Sequence, residues 1–139
     1  MGNYGMVKGY AALVGVVLVV SGLLGFINNP IVGPGPNGDG TGVILAANTI
    51  HNTVHLAMGA LALYIAYGLS GSAQANGVIG FGVLHVIILV LLLISPTLFG
   101  LFGNIPANIG DHVLHVVLGV VSVAVGYMAR GSSATAYTR

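Results

Sequence analysis

Five histidines stand out in a chain that holds few other ionisable groups: His51, His55, His85, His112 and His115. His51 and His55 are four residues apart and His112 and His115 are three apart, so on helices each pair shares a face. Gly59 continues the first stripe, and Asp111 and Gly119 lie close to the second. Neutral imidazole is the commonest metal ligand, and it also holds haem iron or the magnesium of a chlorophyll-type pigment axially. The chain has no Cys, which removes thiolate metal sites, disulfides and c-type haem attachment. An uncharged set of nitrogen donors suits a tetrapyrrole, or copper, zinc or iron. Asp111 could accept a hydrogen bond from a ligand histidine and fix its ring. Asn48 and Asn108 could support the same site, although both also stand where helix N-caps belong.

The elements that must position these residues are membrane helices. Charged residues are 4% of the 139-residue chain and apolar residues 56%, with a mean hydropathy of +1.02. A soluble domain is about 25% charged, and five charges (Lys8, Asp39, Asp111, Arg130 and Arg139) cannot cover the surface of a soluble fold this size. A spanning helix needs about 20 largely apolar residues. Four segments qualify: about 7–27, 48–69, 78–94 and 108–129. None shows the alternation of a membrane barrel strand. The expected fold is all-α, a single integral membrane four-helix bundle over residues 1–139. Residues 28–42, with three Pro and five Gly, form a surface loop. Residues 70–77 are short and polar and suit a tight turn, and Pro96 ends the third helix. The first apolar run is long enough to span and lacks a cleavage site, so it is expected to remain in the mature chain.

Lys8, Arg130 and Arg139 fall on the same side as the 70–77 turn. The positive-inside rule then puts both termini in the cytoplasm, with the histidine pairs toward the opposite surface. The expected setting is a bacterial inner or intracytoplasmic, thylakoid-type membrane. A shift of 60 residues aligns the second and fourth segments: Asn48 on Asn108, His55 on His115, Gly59 on Gly119 and Tyr67 on Tyr127. The first and third segments match poorly at that shift. Two helical hairpins in weak parallel repeat are the simplest reading. At 1.5 Å per residue, His55 and His115 lie roughly 10 Å inside their helices, and His85 roughly 15 Å deep on the antiparallel third helix. Four imidazoles would thus share a layer, with His85 below it.

Two other readings stay open. Polar side chains between membrane helices often act only as interhelical hydrogen bonds, contributing about 0.6–2 kcal/mol each. The bundle would then be a structural or assembly subunit. Alternatively, an oligomer of such bundles could carry a solute or protons past His85. A net charge of +1 gives no nucleic-acid footprint. No nucleophile or acid–base pair is visible, so an enzyme is not expected.

Gly22-Leu23-Leu24-Gly25-Phe26 closes the first helix. His51-x-x-x-His55-x-x-x-Gly59 opens the second and Asp111-x-x-x-His115-x-x-x-Gly119 opens the fourth. Together these resemble the bacterial four-helix membrane family catalogued as domain of unknown function 4383, over nearly the whole chain. The resemblance implies four helices and equivalent positions for His51, His55, Asp111 and His115. That family usually carries Asn where His112 stands. It brings no activity.

The expected function is therefore a non-enzymatic accessory subunit, in contact with lipid and with other membrane subunits or copies of itself. His55 and His115 lead the expected ligands of a metal ion or tetrapyrrole, with His51, His112 and His85 behind them.

Overall fold

Asparagine, glycine and proline set the ends of four helices. The computed structural model of the chain describes residues 3–27, 29–33, 42 and 44–134. Most of the Gly-Pro run of the first loop, Asp39 and Arg139 lie outside the described residues. Helix α1 (Tyr4–Leu24) is stopped by Asn29, whose Nδ2 donates to the carbonyls of Leu24 and Ile27 at 2.6 and 2.7 Å. The same side chain accepts the amides of Ile31 and Val32, so one asparagine both caps the helix and makes the turn. Helix α2 (Thr49–Gly68) starts at Asn48, whose Oδ1 accepts the His51 amide at 2.8 Å. Helix α4 (Ile109–Ala134) starts with a reciprocal cap: Asn108 Oδ1 accepts the Asp111 amide and Asp111 Oδ2 accepts the Asn108 amide. Asn48 and Asn108 are therefore capping residues.

Helix α3 (Gly71–Ile94) begins seven residues before the expected Val78. The expected 70–77 turn is mostly helix. The chain reverses at Leu69–Gly71, with Gly71 at φ +54°. Buried Gln74 makes so short a reversal tenable. Its Nε2 donates to the carbonyls of Ile65, Ala66 and Leu69, which the end of α2 would otherwise leave bare.

Helices α1, α3 and α4 are long and apolar enough to cross a membrane. Helix α2, expected as a fourth span, falls short in apolarity because Thr49, His51, Asn52, Thr53 and His55 crowd its first turns. Its 20 residues still reach about 30 Å, the thickness of the hydrocarbon layer, and it packs along α1. The exposed faces are apolar, as in Leu13, Val17 and Val20 of α1, Ile87, Val90 and Leu93 of α3, and Val116, Val117 and Val120 of α4. The interior holds His51, Asn52, His55, Gln74, His85, Asp111, His115 and Ser122. That inversion is what lipid as solvent demands.

The main packing is within two hairpins, α1 on α2 and α3 on α4. Each hairpin closes on glycine. A Cβ on Gly59 would come within 2.8 Å of the Val19 amide nitrogen and 2.9 Å of the Gly15 carbonyl. A Cβ on Gly119 would meet Val86 at 2.7 Å, and one on Gly82 would meet the Gly119 carbonyl at 2.7 Å. Gly15, Val19 and Gly59 of the first hairpin thus correspond to Gly82, Val86 and Gly119 of the second. Gly59 and Gly119 are 60 residues apart in sequence, but Gly15 and Gly82 are 67 apart. A seven-residue offset, two helical turns, is why the first and third helices fail to match at the shift that aligns the second and fourth.

The half of the bundle near the α2–α3 reversal is filled by apolar side chains, among them Val7, Ala11, Val14, Ile65, Ala66, Val78 and Phe81. The other half holds the histidines. Replacing Gly59 or Gly82 with Ala forces backbone apart at a crossing and should cost about 1–3 kcal/mol. Gly80→Ala, with nothing within 4 Å of the new methyl, should leave the melting temperature in detergent near wild type.

Candidate functional site

The motif His-x-x-x-Gly has a plain structural meaning. Each glycine is a helix crossing, and the histidine one turn earlier sits just beyond it, where the partner helix is still close. His55 stands one turn from the Gly59–Gly15 crossing and His115 one turn from the Gly119–Gly82 crossing. In the opposite helices, the residue three past the crossing glycine is Leu18 in α1 and His85 in α3. Leu18 is buried in apolar packing, and His85 meets His115. The repeat is thus broken at one position, where a leucine is matched by an imidazole.

Four of the five histidines come together. His51, His55, His85 and His115 are each at most 5% exposed. The His51 and His55 rings are 4.5 Å apart between centres, His85 and His115 are 5.6 Å apart, and His51 and His115 6.4 Å. His55 lies within electrostatic reach of the other three. His85 is not below the others, as its depth along the third helix suggested, but beside His115. Helix α3 runs past the start of α4, which brings the deeper residue of α3 level with His115.

The hydrogen bonds fix two tautomers. His85 Nδ1 is 2.9 Å from the Phe81 carbonyl and His115 Nδ1 is 2.8 Å from the Asp111 carbonyl. A carbonyl only accepts, so in each ring Nδ1 carries the proton, and neutral imidazole keeps its lone pair on Nε2. Both acceptors lie four residues back on the histidine's own helix. His51 bonds to the backbone of Ala46, and its Nδ1 is buried with no partner. Both nitrogens of His55 are buried with no hydrogen-bond partner. A buried polar group left bare costs about 1–3 kcal/mol, and proteins carry few of them.

Asp111 supports the cluster in a way the sequence did not indicate. Its carboxylate makes no hydrogen bond to a histidine, and Oδ1 is buried with no partner. Oδ2 accepts the Ala46 amide at 3.1 Å and the Asn108 amide at 2.8 Å. One fully buried carboxylate therefore ties the segment before α2 to the start of α4 across 65 residues of chain. It orients His115 through its main-chain carbonyl. His112 is half-buried on the flank of α4, outside the ring contacts of the other four, with Nδ1 unpartnered. Among the described residues no three His, Cys, Asp or Glu side chains form an assembled metal-ligand group. The four rings are neighbours, not a finished ligand set.

Several buried residues of this interior carried no role in the sequence analysis. Phe102 stacks face to face on His51, with centres 4.4 Å apart and planes 3° from parallel. Asn52 is fully buried, and its side chain lies against Gly25, where a Cβ would collide with it. Deeper in the bundle, Tyr10 and Ser122 share a 2.8 Å hydrogen bond between α1 and α4. Asn52 follows His51 directly and was open to inference from the polar stripe. Phe102 was not, because one aromatic in a glycine-rich loop has no periodicity to mark it.

An apolar exterior around a polar, histidine-lined interior defines a small helical membrane protein. The chain belongs to the family described as domain of unknown function (DUF4383), whose sequence pattern matches residues 8–128. No curated protein and no solved structure matches it.

Removing the Asp111 carboxylate strands the buried Ala46 amide and the part-buried Asn108 amide. Asp111→Ala should lower stability by about 2–4 kcal/mol, read as a drop in melting temperature. Hydrogen exchange at the Ala46 amide should accelerate with it. Asp111→Asn, which keeps one acceptor oxygen, should retain most of the protection.

Proposed function

We propose that this chain is an accessory subunit of a larger membrane complex, in which His55, His85 and His115, joined by His51, hold a transition-metal ion. One observation carries the reading. The Nδ1 protons of His85 and His115 are tied to helix carbonyls. Two Nε2 lone pairs are thereby left in a cluster with His55, whose own nitrogens have no partner. Two imidazoles on one tetrahedral ion, bound at about 2.0–2.1 Å, bring their ring centres to roughly 5 Å. The centres of His51 and His55, of His85 and His115, and of His51 and His115 are 4.5, 5.6 and 6.4 Å apart, close to the spacing that one shared ion requires. Neutral nitrogen donors suit zinc, copper or iron.

A tetrapyrrole is the poorer fit. The rings abut one another, and a macrocycle would have to part them. Interhelical hydrogen bonding is also a poor account, since the carbonyl bonds of His85 and His115 run along their own helices. The role proposed is binding rather than catalysis. Lys8 and Arg130 favour cytoplasmic termini, which sets the cluster toward the other surface. The exposed apolar helix faces are the large surfaces available to lipid and to partner subunits.

Titration of the purified protein with zinc or copper should give one ion per chain. X-ray absorption should report three or four nitrogen donors at about 2.0–2.1 Å. His55→Ala and His85→Ala should each weaken binding at least roughly 100-fold, and His112→Ala should not. A protein that takes up no stoichiometric metal would end this reading.

A further inference from the structure

On the His51 side, the histidine cluster is covered by Phe102 of the loop formed by residues 95–107. The loop is held mainly by itself. Phe102 N donates to the Thr97 carbonyl at 2.9 Å, Phe99 N to Ser95 Oγ at 2.8 Å, and Ala107 N to the Pro96 carbonyl at 2.8 Å, which ties its two ends. Its apolar contacts form a separate small cluster. Leu98, Phe102 and Ala107 pack on Ile88 and Leu92, apart from the main core. Its backbone is strained: Leu98 and Phe99 stand in succession at φ +48° and +57°, in the left-handed region that side chains disfavour. A self-bonded loop on its own small cluster can open without unfolding the bundle, and strain of this kind gathers at moving parts.

Beside the loop lies an open cleft of about 390 Å³, lined by Asn48 and by the loop's own Phe102, Gly103, Asn104 and Ile105. Two asparagines give it polar walls. Phe102 is common to this cleft and to the histidines, since its ring lies flat on His51. Beyond His51 stands His55, with its two unpartnered nitrogens.

We infer that the 95–107 loop is a gate, with Phe102 as its plug, and that a hydrated divalent cation reaches the histidine cluster through the cleft between Asn48 and Asn104. The inference deepens the metal reading and rests on it for the nature of the solute. His51 is the first imidazole met on the way in and hands the ion to His55. Removing the plug changes how fast the cation enters and leaves, not how many bind, because Phe102 offers no donor atom.

The test uses the full chain in detergent, as wild type, Phe102→Ala and Phe102→Trp. Diethylpyrocarbonate modification is followed for each histidine by peptide mass spectrometry, with half-buried His112 as the internal reference. Loss of one stacked aromatic should speed modification of His51 about tenfold, His55 less, and His85 least, while Phe102→Trp stays near wild type. Zinc alone, mixed rapidly with the protein, should enter and leave Phe102→Ala faster at unchanged stoichiometry. Equal acceleration at all five histidines would mean a loosened fold and would overturn the gate, as would no acceleration at His51. If zinc does not bind even to wild type, the metal reading fails, and the modification rates alone then decide whether the gate exists.

Discussion

A polar group inside this bundle cannot turn to water, and it costs stability unless another group of the chain meets it. That constraint governs most of the structure. The ends of the helices obey it through side chains with fixed duties: Asn29 on α1, Asn48 on α2, Gln74 on the α2–α3 reversal, and the Asn108–Asp111 pair on α4. Asp111 goes furthest, since its one carboxylate also holds the segment leading into α2. Against that background the His55 nitrogens are conspicuous. His51 Nδ1, His112 Nδ1 and Asp111 Oδ1 are bare as well, but His55 is the one imidazole with neither nitrogen met.

The second constraint is close approach. In lipid, helices gain little from hiding apolar surface and depend on contact, which small residues permit. The crossings at Gly15–Gly59 and Gly82–Gly119 supply it and make the two hairpins equivalent. The equivalence then shows where they diverge. Leu18 fills its place in the first hairpin, and His85 takes the corresponding place in the second. One substitution within a repeated scaffold converts an apolar layer into a face of the histidine cluster. The closeness that stabilises each hairpin also brings His51 to 4.5 Å from His55 and 6.4 Å from His115, and His85 to 5.6 Å from His115.

The two ends of the bundle divide the work. The end near the α2–α3 reversal is packed with apolar side chains, and its turn needs only three residues. The other end carries two longer loops. One is anchored to Asp111 through Ala46, and the other brings Phe102 onto His51. The buried polar side chains and the two loop segments that touch them therefore lie at the same end.

Much of this was legible in the sequence. Long apolar runs, scarce charge and Gly-Pro punctuation determined an all-α membrane bundle, because nothing else can shelter so much apolar chain. The caps at Asn48 and Asn108 were legible because capping is local. His51 with His55, and Asp111 with His115, shared faces because helical spacing dictates it. Other features depended on register between helices, which composition does not carry. Tertiary structure decided that α3 begins at Gly71, where Gln74 can reach back to the end of α2. It also decided that His85 stands level with His115, that His112 falls to the flank, and that the Asp111 carboxylate serves amides and not imidazoles. Phe102 lay furthest from inference, since a loop residue is placed only by the surface it closes over. The chain's own periodicity set which residues share a helix face, and the glycine crossings, by fixing how far each helix slides along its neighbour, set which faces meet.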